Sequence, residues 1–192
     1  LAAVDAAMNR ATSLQFDYEI INQEPGKPER TLGAKLLVKG EKRMEEFTAP
    51  ADMKGTKVLI LSPTQMYVYL PAFGKVRRIA SHTGDQTFLG MTFSQDDLAR
   101  VGFSSEYTAA VGASDAASTT LTLTPKPGQT PSYAKIELKV AKANSLPFEL
   151  KYFDAAGNNL KTETRTGYTC EGAICIPGEL KMVENGKGAW TK

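Results

Sequence analysis

Short runs in which apolar and polar residues alternate recur along this chain of 192 residues, and they constrain its fold more than any other feature. The clearest run covers residues 134–140 (AKIELKV), and similar runs cover 16–20 and 148–152. Successive side chains of a strand point to opposite faces, so each run predicts a strand with one buried face. The chain therefore predicts a sheet that packs one side of each strand against a core.

Further runs rich in β-branched, aromatic and aliphatic residues extend this sheet, with turn residues between them. They lie at residues 32–38, 57–61, 65–70, 75–79, 119–124, 160–168, 180–183 and 189–191. These strands do not alternate with helices in the βαβ manner that parallel sheets require, so we expect an antiparallel sheet. About ten antiparallel strands in one sheet must curl or split into two packed sheets.

Two segments have the apolar spacing of helices rather than strands. Residues 1–14 are rich in Ala and carry apolar residues at helical spacing, which predicts an amphipathic helix. Residues 94–101 begin with Ser94 as a predicted N-cap and carry Asp97 at the third helical position, a variant of the capping box. Gly102 is expected to end this second helix.

The segment 87–93, just before the second helix, offers four large apolar side chains. Gly90 argues against a helix there, so we expect an irregular lid loop that covers the concave face of a curved sheet. We therefore predict a mainly β (α+β) fold, with residues 1–192 as a single domain. The curved antiparallel sheet would form an unclosed half-barrel, covered by short helices and the lid loop. An ordinary sheet-plus-helix core, in which the loop is fixed, is the alternative.

Composition excludes several classes of function. Lys plus Arg is 23 and Asp plus Glu is 21, a net charge of +2 that argues against a nucleic-acid partner. No apolar run approaches the roughly 18 residues that a spanning helix needs, so we expect a soluble chain. We also expect a monomer. Because the sequence starts at Leu1 rather than Met, we expect a processed product whose signal peptide has been removed.

Few residues could carry catalysis or bind a metal. His82 lies in a polar loop as the single His, and with two Cys it cannot complete most zinc sites. Asp96 and Asp97 form a carboxylate pair, but capping of the second helix explains both. The sequence contains no recognisable nucleophile motif and no phosphate-binding glycine-rich loop. We expect no cofactor, no metal site and no enzymatic activity.

Cys170 and Cys175 have four residues between them, which differs from the spacing of a redox CxxC motif. Either a disulfide or two separate buried thiols would account for them. Gly172 permits the tight turn of a hairpin, which favours the disulfide and hence an oxidising compartment. The basic run 75–78 is too short for a nucleic-acid patch, and we interpret it as an exposed strand.

Four blocks of the sequence stand out as a set: 47–55 (FTAPADMKG), 66–79 (MYVYLPAFGKVRRI), 87–98 (TFLGMTFSQDDL) and 175–182 (CIPGELKM). Together they resemble the outer-membrane lipoprotein-sorting protein family, the LolA-like proteins. The resemblance implies a half-barrel with a lid around an apolar cavity that accepts acyl chains. It also implies a periplasmic carrier that takes lipoproteins from an inner-membrane transporter and passes them to an outer-membrane acceptor. Arg43 is the counterpart, by position, of a strand arginine that contacts the lid.

The predicted function is therefore a periplasmic carrier of lipid or lipoprotein acyl chains. An RseB-like sensor or interaction module of the same fold, which regulates an envelope protein, is the alternative. The residues predicted to bind acyl chains are apolar, and we expect them to line one continuous cavity. They are Leu36, Val38, Ile60, Phe88, Leu89, Met91, Phe93, Ile136, Leu138, Val140, Phe148, Leu150 and Tyr152.

Overall fold

The computed structural model describes residues 1–79 and 88–192, so the prediction for His82 lies outside the described residues. The chain divides into two compact units. Unit I comprises residues 11–100 with Thr191, and unit II comprises residues 1–10, 101–190 and Lys192. The assignment of the chain to a single domain stays a prediction.

Strands make up most of the regular structure. In the first half of the chain the elements are α1 (Ala2–Met8), β1 (Ser13–Gln23), β2 (Arg30–Lys39), β3 (Lys42–Ala49), β4 (Lys57–Ser62), β5 (Gln65–Leu70), a 3-10 turn (Pro71–Phe73), β6 (Lys75–Ile79) and α2 (Gln95–Ala99). In the second half they are β7 (Tyr107–Ser114), β8 (Ser118–Pro125), β9 (Lys135–Ala141), β10 (Pro147–Phe153), β11 (Asn159–Thr166), β12 (Thr169–Glu171), β13 (Ile174–Ile176), β14 (Glu179–Glu184) and β15 (Ala189–Thr191).

The principal sheet has 13 strands in the order β6-β5-β4-β3-β2-β1-β15-β14-β11-β10-β9-β8-β7, and β12 pairs with β13 in a separate sheet. Among the described residues, β6 and β7 are the two edges of this order, so the sheet is not closed. The neighbouring strands of each unit pair in antiparallel register. The prediction of a mainly β fold with an unclosed antiparallel sheet and short helices is confirmed.

Unit I is built on a meander in which each strand from β1 to β6 pairs with the next. The registers align Phe16 with Leu36 and Leu36 with Glu45, and they align Val38 with Arg43. Aligned residues of antiparallel strands point to the same face, so alternate residues of these strands share one face. We call the face that carries these five residues the inner face of unit I.

The strands β3 and β7 are absent from the sequence-based prediction, for two different reasons. On β3 the inner positions include Arg43 and the buried Glu45, so the expected apolar alternation is hidden. On β7 every residue after Tyr107 is exposed, and small side chains predominate. A strand without an apolar face leaves no period-two signal, although pairing with β8 holds it in place.

The first helix is shorter than the predicted helix over residues 1–14. Its last residue is Met8, and β1 already begins at Ser13. The pairing of β1 with β2 extends as far as Ser13 opposite Lys39. Helical propensity is a weak preference, and the hydrogen bonds of the sheet outweigh it over this stretch.

Asp5 connects α1 to the following segment of unit II. Its carboxylate accepts hydrogen bonds from the backbone N–H groups of Phe103 (2.9 Å) and Ser104 (2.8 Å). A Cβ atom at Gly102 would lie 2.7 Å from the Asp5 carboxylate carbon. Gly102 therefore makes room for this carboxylate. The prediction that Gly102 ends the second helix is wrong.

The second helix, α2, runs from Gln95 to Ala99 and so ends earlier than the predicted Val101. Its capping box is present as predicted. The Ser94 hydroxyl oxygen accepts a hydrogen bond from the Asp97 N–H (3.1 Å), and the Asp97 carboxylate accepts one from the Ser94 N–H (2.9 Å). The helix stops because the next residue has extended backbone angles, with ψ at 117°.

Candidate binding face

The inner face of unit I carries the buried core of this unit. Its strand residues are apolar and almost completely inaccessible to solvent. They are Ile20, Leu32, Ala34, Phe47, Val58, Ile60 and Met66. Ile60, one of the predicted acyl-binding residues, is therefore part of a packed cluster.

A segment without strand structure covers this cluster, and we call residues 88–100 the covering segment. Its buried and partly buried hydrophobic side chains are Phe88, Met91, Phe93, Leu98 and Ala99. Three predicted lid residues, Phe88, Met91 and Phe93, thus pack against the same sheet face. A turn and a five-residue helix thus cover the buried cluster of unit I.

The covering segment begins with a tight turn. The Met91 N–H donates to the Phe88 carbonyl (2.9 Å), and Leu89 and Gly90 have φ angles of 51° and 79°. Positive φ at both central residues is typical of a type I′ turn, and it is unusual for Leu. The turn leaves Leu89 36% exposed, so Leu89 does not share the burial of its predicted companions.

Arg43 holds the end of the covering segment. From β3, its Nη1 donates to the carbonyl oxygens of Leu98 (3.3 Å) and Arg100 (3.1 Å). The last carbonyls of a helix lack intrahelical partners and carry partial negative charge, so a guanidinium is a favourable partner for them. The residue that the family resemblance marks for lid contact thus lies against the covering segment.

A second group of polar side chains holds the turn. The Asn22 amide donates to the Gly90 carbonyl (2.5 Å), and its oxygen accepts a hydrogen bond from the Thr191 hydroxyl (2.5 Å). The Thr191 oxygen in turn accepts a hydrogen bond from the Thr92 N–H (2.8 Å). Asn22, Thr92 and Thr191 are all buried, so each would be destabilising without these partners.

A carboxyl group lies within the inner face beside this apolar core. Glu45 is only 7% exposed, and it accepts a hydrogen bond from the Tyr18 hydroxyl (2.5 Å). Burial raises the pKa of Glu45, and the hydrogen bond from Tyr18 offsets only part of this effect. Burial also raises the pKa of Tyr18, with a further contribution from the Glu45 charge. The pair therefore favours a protonated phenol and stabilises the uncharged form of the carboxyl group.

The inner face also has an apolar stretch that is only half-buried. It lies on β1 and β2 and comprises Leu14, Phe16, Leu36 and Val38. Two of these, Leu36 and Val38, are predicted acyl-binding residues. The stretch shares its face with Arg43 and Glu45, which lie opposite Val38 and Leu36.

In unit II the predicted residues on β9 and β10 are mostly buried. The buried ones are Ile136, Leu138, Val140, Leu150 and Tyr152. Phe148 differs because the register shifts between Pro147 and Glu149 and places Pro147 opposite Val140. Phe148 is therefore half-buried, and simple alternation along β10 does not describe its position.

Unit II also buries an ion pair on β11. The Glu163 carboxylate accepts hydrogen bonds from the Arg165 Nε (2.6 Å) and the Tyr152 hydroxyl (2.6 Å). The two charged side chains are only 4% and 15% exposed. Burial lowers the pKa of Arg165, but the Glu163 charge, Tyr152 and Tyr168 together more than offset this effect, so the pKa is raised overall. This pair is a fixed part of the interior, because either charge alone would be strongly unfavourable there.

The two cysteines form a disulfide, as predicted. Cys170 on β12 lies directly opposite Cys175 on β13, and their Cα atoms are 4.0 Å apart. Gly172 lies in the turn between the strands with a φ of 59°, a left-handed conformation that glycine adopts without strain.

The described residues contain no group of three or more His, Cys, Asp or Glu side chains that could hold a metal ion. The described helices are also too short and too polar to cross a membrane.

Several solved structures resemble this chain. A domain assigned to outer membrane lipoprotein sorting, from Vibrio parahaemolyticus, has a TM-score of 0.86 at 23% identity, and the match covers 99% of this chain and 86% of that one. A DUF1329 family protein from Desulfovibrio piger has a TM-score of 0.84 at 23% identity, over 99% and 88% of the two chains. A LolA superfamily protein from Nitrosomonas europaea has a TM-score of 0.78 at 21% identity, over 100% and 87%. The fold is LolA-like.

A family model described as "Uncharacterized protein" matches residues 39–192. The chain belongs to this family. None of the curated proteins matches the sequence. The LolA-like fold confirms the resemblance that the four sequence blocks indicate.

Four buried polar residues on the strands are absent from the sequence-based prediction. Asn22, Glu45, Glu163 and Thr191 each occupy an alternating strand position where an apolar residue is expected. The signal that could identify them is a polar residue at one of the alternate strand positions that are otherwise apolar. Their partners come from distant parts of the chain, so the pairs themselves become visible only in the folded protein.

Proposed function

We propose that this protein is a periplasmic, non-enzymatic carrier that binds acyl chains of lipids or lipoproteins on the inner face of unit I. An inner-membrane transporter would be the donor and an outer-membrane protein the acceptor. One observation carries the proposal: an irregular segment, anchored by polar contacts at Asn22 and Arg43, covers this apolar face. Such a cover can be displaced without unfolding the sheet beneath it.

The energetics favour exchange between the cover and a ligand. Exposing Phe88, Met91 and Phe93 would cost about 1.5–3 kcal/mol for each side chain. An acyl chain of about sixteen carbons contributes about 0.8 kcal/mol for each methylene that it buries, or about 12 kcal/mol when fully covered. The ligand therefore more than offsets the loss of the three side chains. In the empty protein the same side chains keep the apolar face from water and limit aggregation.

The half-buried stretch is the proposed site of first contact. Leu14, Phe16, Leu36 and Val38 offer apolar surface next to the covered cluster and on the same face. An acyl chain that starts there could extend beneath the covering segment as Phe88 and the other lid residues leave. The role of the unit II residues in acyl binding stays a prediction.

The disulfide supports a periplasmic location. Cys170 and Cys175 are bonded, and structural disulfides persist in oxidising compartments such as the periplasm. An envelope location also suits a ligand that would otherwise reside in a membrane.

Binding of a fluorescent fatty acid tests the site through two adjacent residues. Leu36 and Leu37 are both half-buried, but they point to opposite faces of β2. We expect Leu36→Asp to abolish uptake and Leu37→Asp to leave it nearly unchanged, with circular dichroism to show that both variants are folded. Equal uptake by the two variants would place the acyl site elsewhere.

Mass spectrometry of organic extracts from the purified protein tests the ligand class. A carrier should retain acyl lipids, whereas a folded protein that neither retains nor takes up lipid would point to the interaction-module alternative. Hydrogen exchange then tests the cover. Bound lipid should change exchange over residues 88–98, and equal exchange with and without lipid would show that this segment is fixed core.

A further inference from the structure

The hairpin between β5 and β6 exposes large apolar side chains. Every residue over 71–78 is exposed, and we call these residues the β5–β6 tip. Phe73 and Val76 are 64% and 65% exposed, although side chains of this type are usually covered. Each of these two side chains leaves apolar surface on the hairpin that the sheet does not use.

The β5–β6 tip is also basic. Lys75, Arg77 and Arg78 follow Phe73 within five positions, and residues 57–79 contain no Asp or Glu. Successive strand residues point to opposite faces, so Arg77 and Arg78 lie on opposite faces of the edge strand β6. Positive charge therefore flanks the apolar side chains on both sides.

The cations are placed so that they can still bind anions. The Arg77 guanidinium carbon lies 5.8 Å from the centre of the Phe73 ring, which is a stacking contact rather than an ion pair. The Arg78 Nη2 donates to the Thr64 carbonyl (3.0 Å). Since each guanidinium carries five N–H donors in a fixed fork, both can bind a phosphate in addition to these contacts.

We propose that the β5–β6 tip docks on the surface of a bilayer that contains anionic phospholipid. Phe73 and Val76 enter the boundary between headgroups and acyl chains, and Lys75, Arg77 and Arg78 contact the lipid phosphates. Headgroups surround a tip that is inserted in a bilayer, so lipid phosphates can contact cations on both faces of β6. The flat surface of an acidic protein would contact only one of these faces. This docking is independent of the proposed acyl-binding site.

Vesicle flotation with delipidated full-length protein tests the proposal. We expect binding to phosphatidylcholine vesicles that contain about 30% phosphatidylglycerol, weak binding to pure phosphatidylcholine, and loss of binding at about 0.5 M salt. The double variant Arg77→Gln/Arg78→Gln should bind about 25-fold more weakly, at about fivefold for each cation. Phe73→Ser should weaken binding about tenfold.

Two controls match these variants. Lys39→Gln/Lys42→Gln removes the same net charge from the exposed β2–β3 hairpin, and we expect a change of at most about twofold. Val111→Ser removes an apolar side chain that is 74% exposed on β7, and it should leave vesicle binding unchanged. All of these side chains are exposed, so the variants should fold like the parent protein.

Three results would overturn the proposal. Equal binding to neutral and anionic vesicles would exclude recognition of the phosphates. Equal losses in the Lys39/Lys42 and Arg77/Arg78 variants would show that net charge, not the β5–β6 tip, is responsible. Binding to soluble polyglutamate without binding to anionic vesicles would assign the tip to an acidic protein partner instead.

Discussion

In unit II the alternating residues Ile136 and Leu138 on β9 are completely buried, whereas Leu36 and Val38 on β2 of unit I remain half-buried. The most buried part of the unit I face is covered by an irregular segment that polar contacts hold in place. Interior packing that is complete resists any change in volume, whereas an incompletely covered face can accept another molecule. Under the proposed function, unit II would supply a permanent core and unit I an adaptable one.

A buried glutamate also has different surroundings in the two units. Glu163 in unit II forms an ion pair with the Arg165 guanidinium, and both side chains are largely buried. Glu45 in unit I accepts its hydrogen bond from the Tyr18 phenol, and burial raises its pKa. An ion pair fixes its surroundings, whereas a carboxyl group with a raised pKa is more readily neutralised when an apolar ligand covers the same face.

Cavity-forming substitutions should show the largest contrast between the units. Leu138→Ala removes a completely buried side chain and should lower the free energy of unfolding by about 4 kcal/mol. Leu36→Ala removes a half-buried side chain and should lower it by about 1 kcal/mol. Urea unfolding measures both, and similar losses would contradict the distinction between a permanent and an adaptable core.

Removing the charge of Glu163 should have the next largest effect. Glu163→Gln leaves the Arg165 guanidinium buried beside a neutral amide, and it should lower the free energy of unfolding by about 3 kcal/mol. Glu137→Gln is the control, because its ion pair with Lys135 is more exposed and should be worth less than about 1 kcal/mol. Thermal and urea unfolding at neutral pH measure both variants. Equal losses of stability in the two variants would show that the buried pair is unimportant.

Arg43→Met should release the end of the covering segment while it keeps the apolar stem of the side chain. The loss of hydrogen bonds to Leu98 and Arg100 should lower the free energy of unfolding by about 1.5 kcal/mol. Amides over residues 94–100 should exchange faster, and a fluorescent fatty acid should bind more tightly. Lys42→Met, at an exposed position on β3, should change neither measurement. Slower exchange, or weaker fatty-acid binding in a folded protein, would contradict a displaceable cover.

Glu45→Gln should have the smallest effect, and the effect should depend on pH. Burial raises the pKa of Glu45 above the ordinary value of 4.5, so the native state holds the proton more tightly than the unfolded state. This contribution to stability is complete below the ordinary value and is lost as the pH rises through the raised pKa. The glutamine variant should therefore be about 1 kcal/mol more stable than the parent at neutral pH, and this advantage should disappear in acid. Parallel stability curves for the two proteins across this range would contradict the assignment.

The alternating pattern of the sequence is sufficient to predict the fold class, because the alternation of neighbouring residues indicates that one strand face is buried. Runs such as 134–140 therefore mark strands without any knowledge of their partners. The capping box at Ser94 and Asp97 is equally local, and the Cys170–Cys175 disulfide links residues that lie five positions apart. These features are determined by the sequence alone, since the contacts that define them span only a few residues.

Tertiary structure decided the features that depend on distant residues. Arg43 and Glu45 interrupt the apolar alternation of β3, and they form hydrogen bonds with partners on the covering segment and on β1. The turn that leaves Leu89 exposed is held by Asn22, which is 68 residues from Gly90. A buried polar group is stable only when it has a hydrogen-bond partner. Neither the periodicity nor the propensity of a sequence identifies which distant residue is that partner.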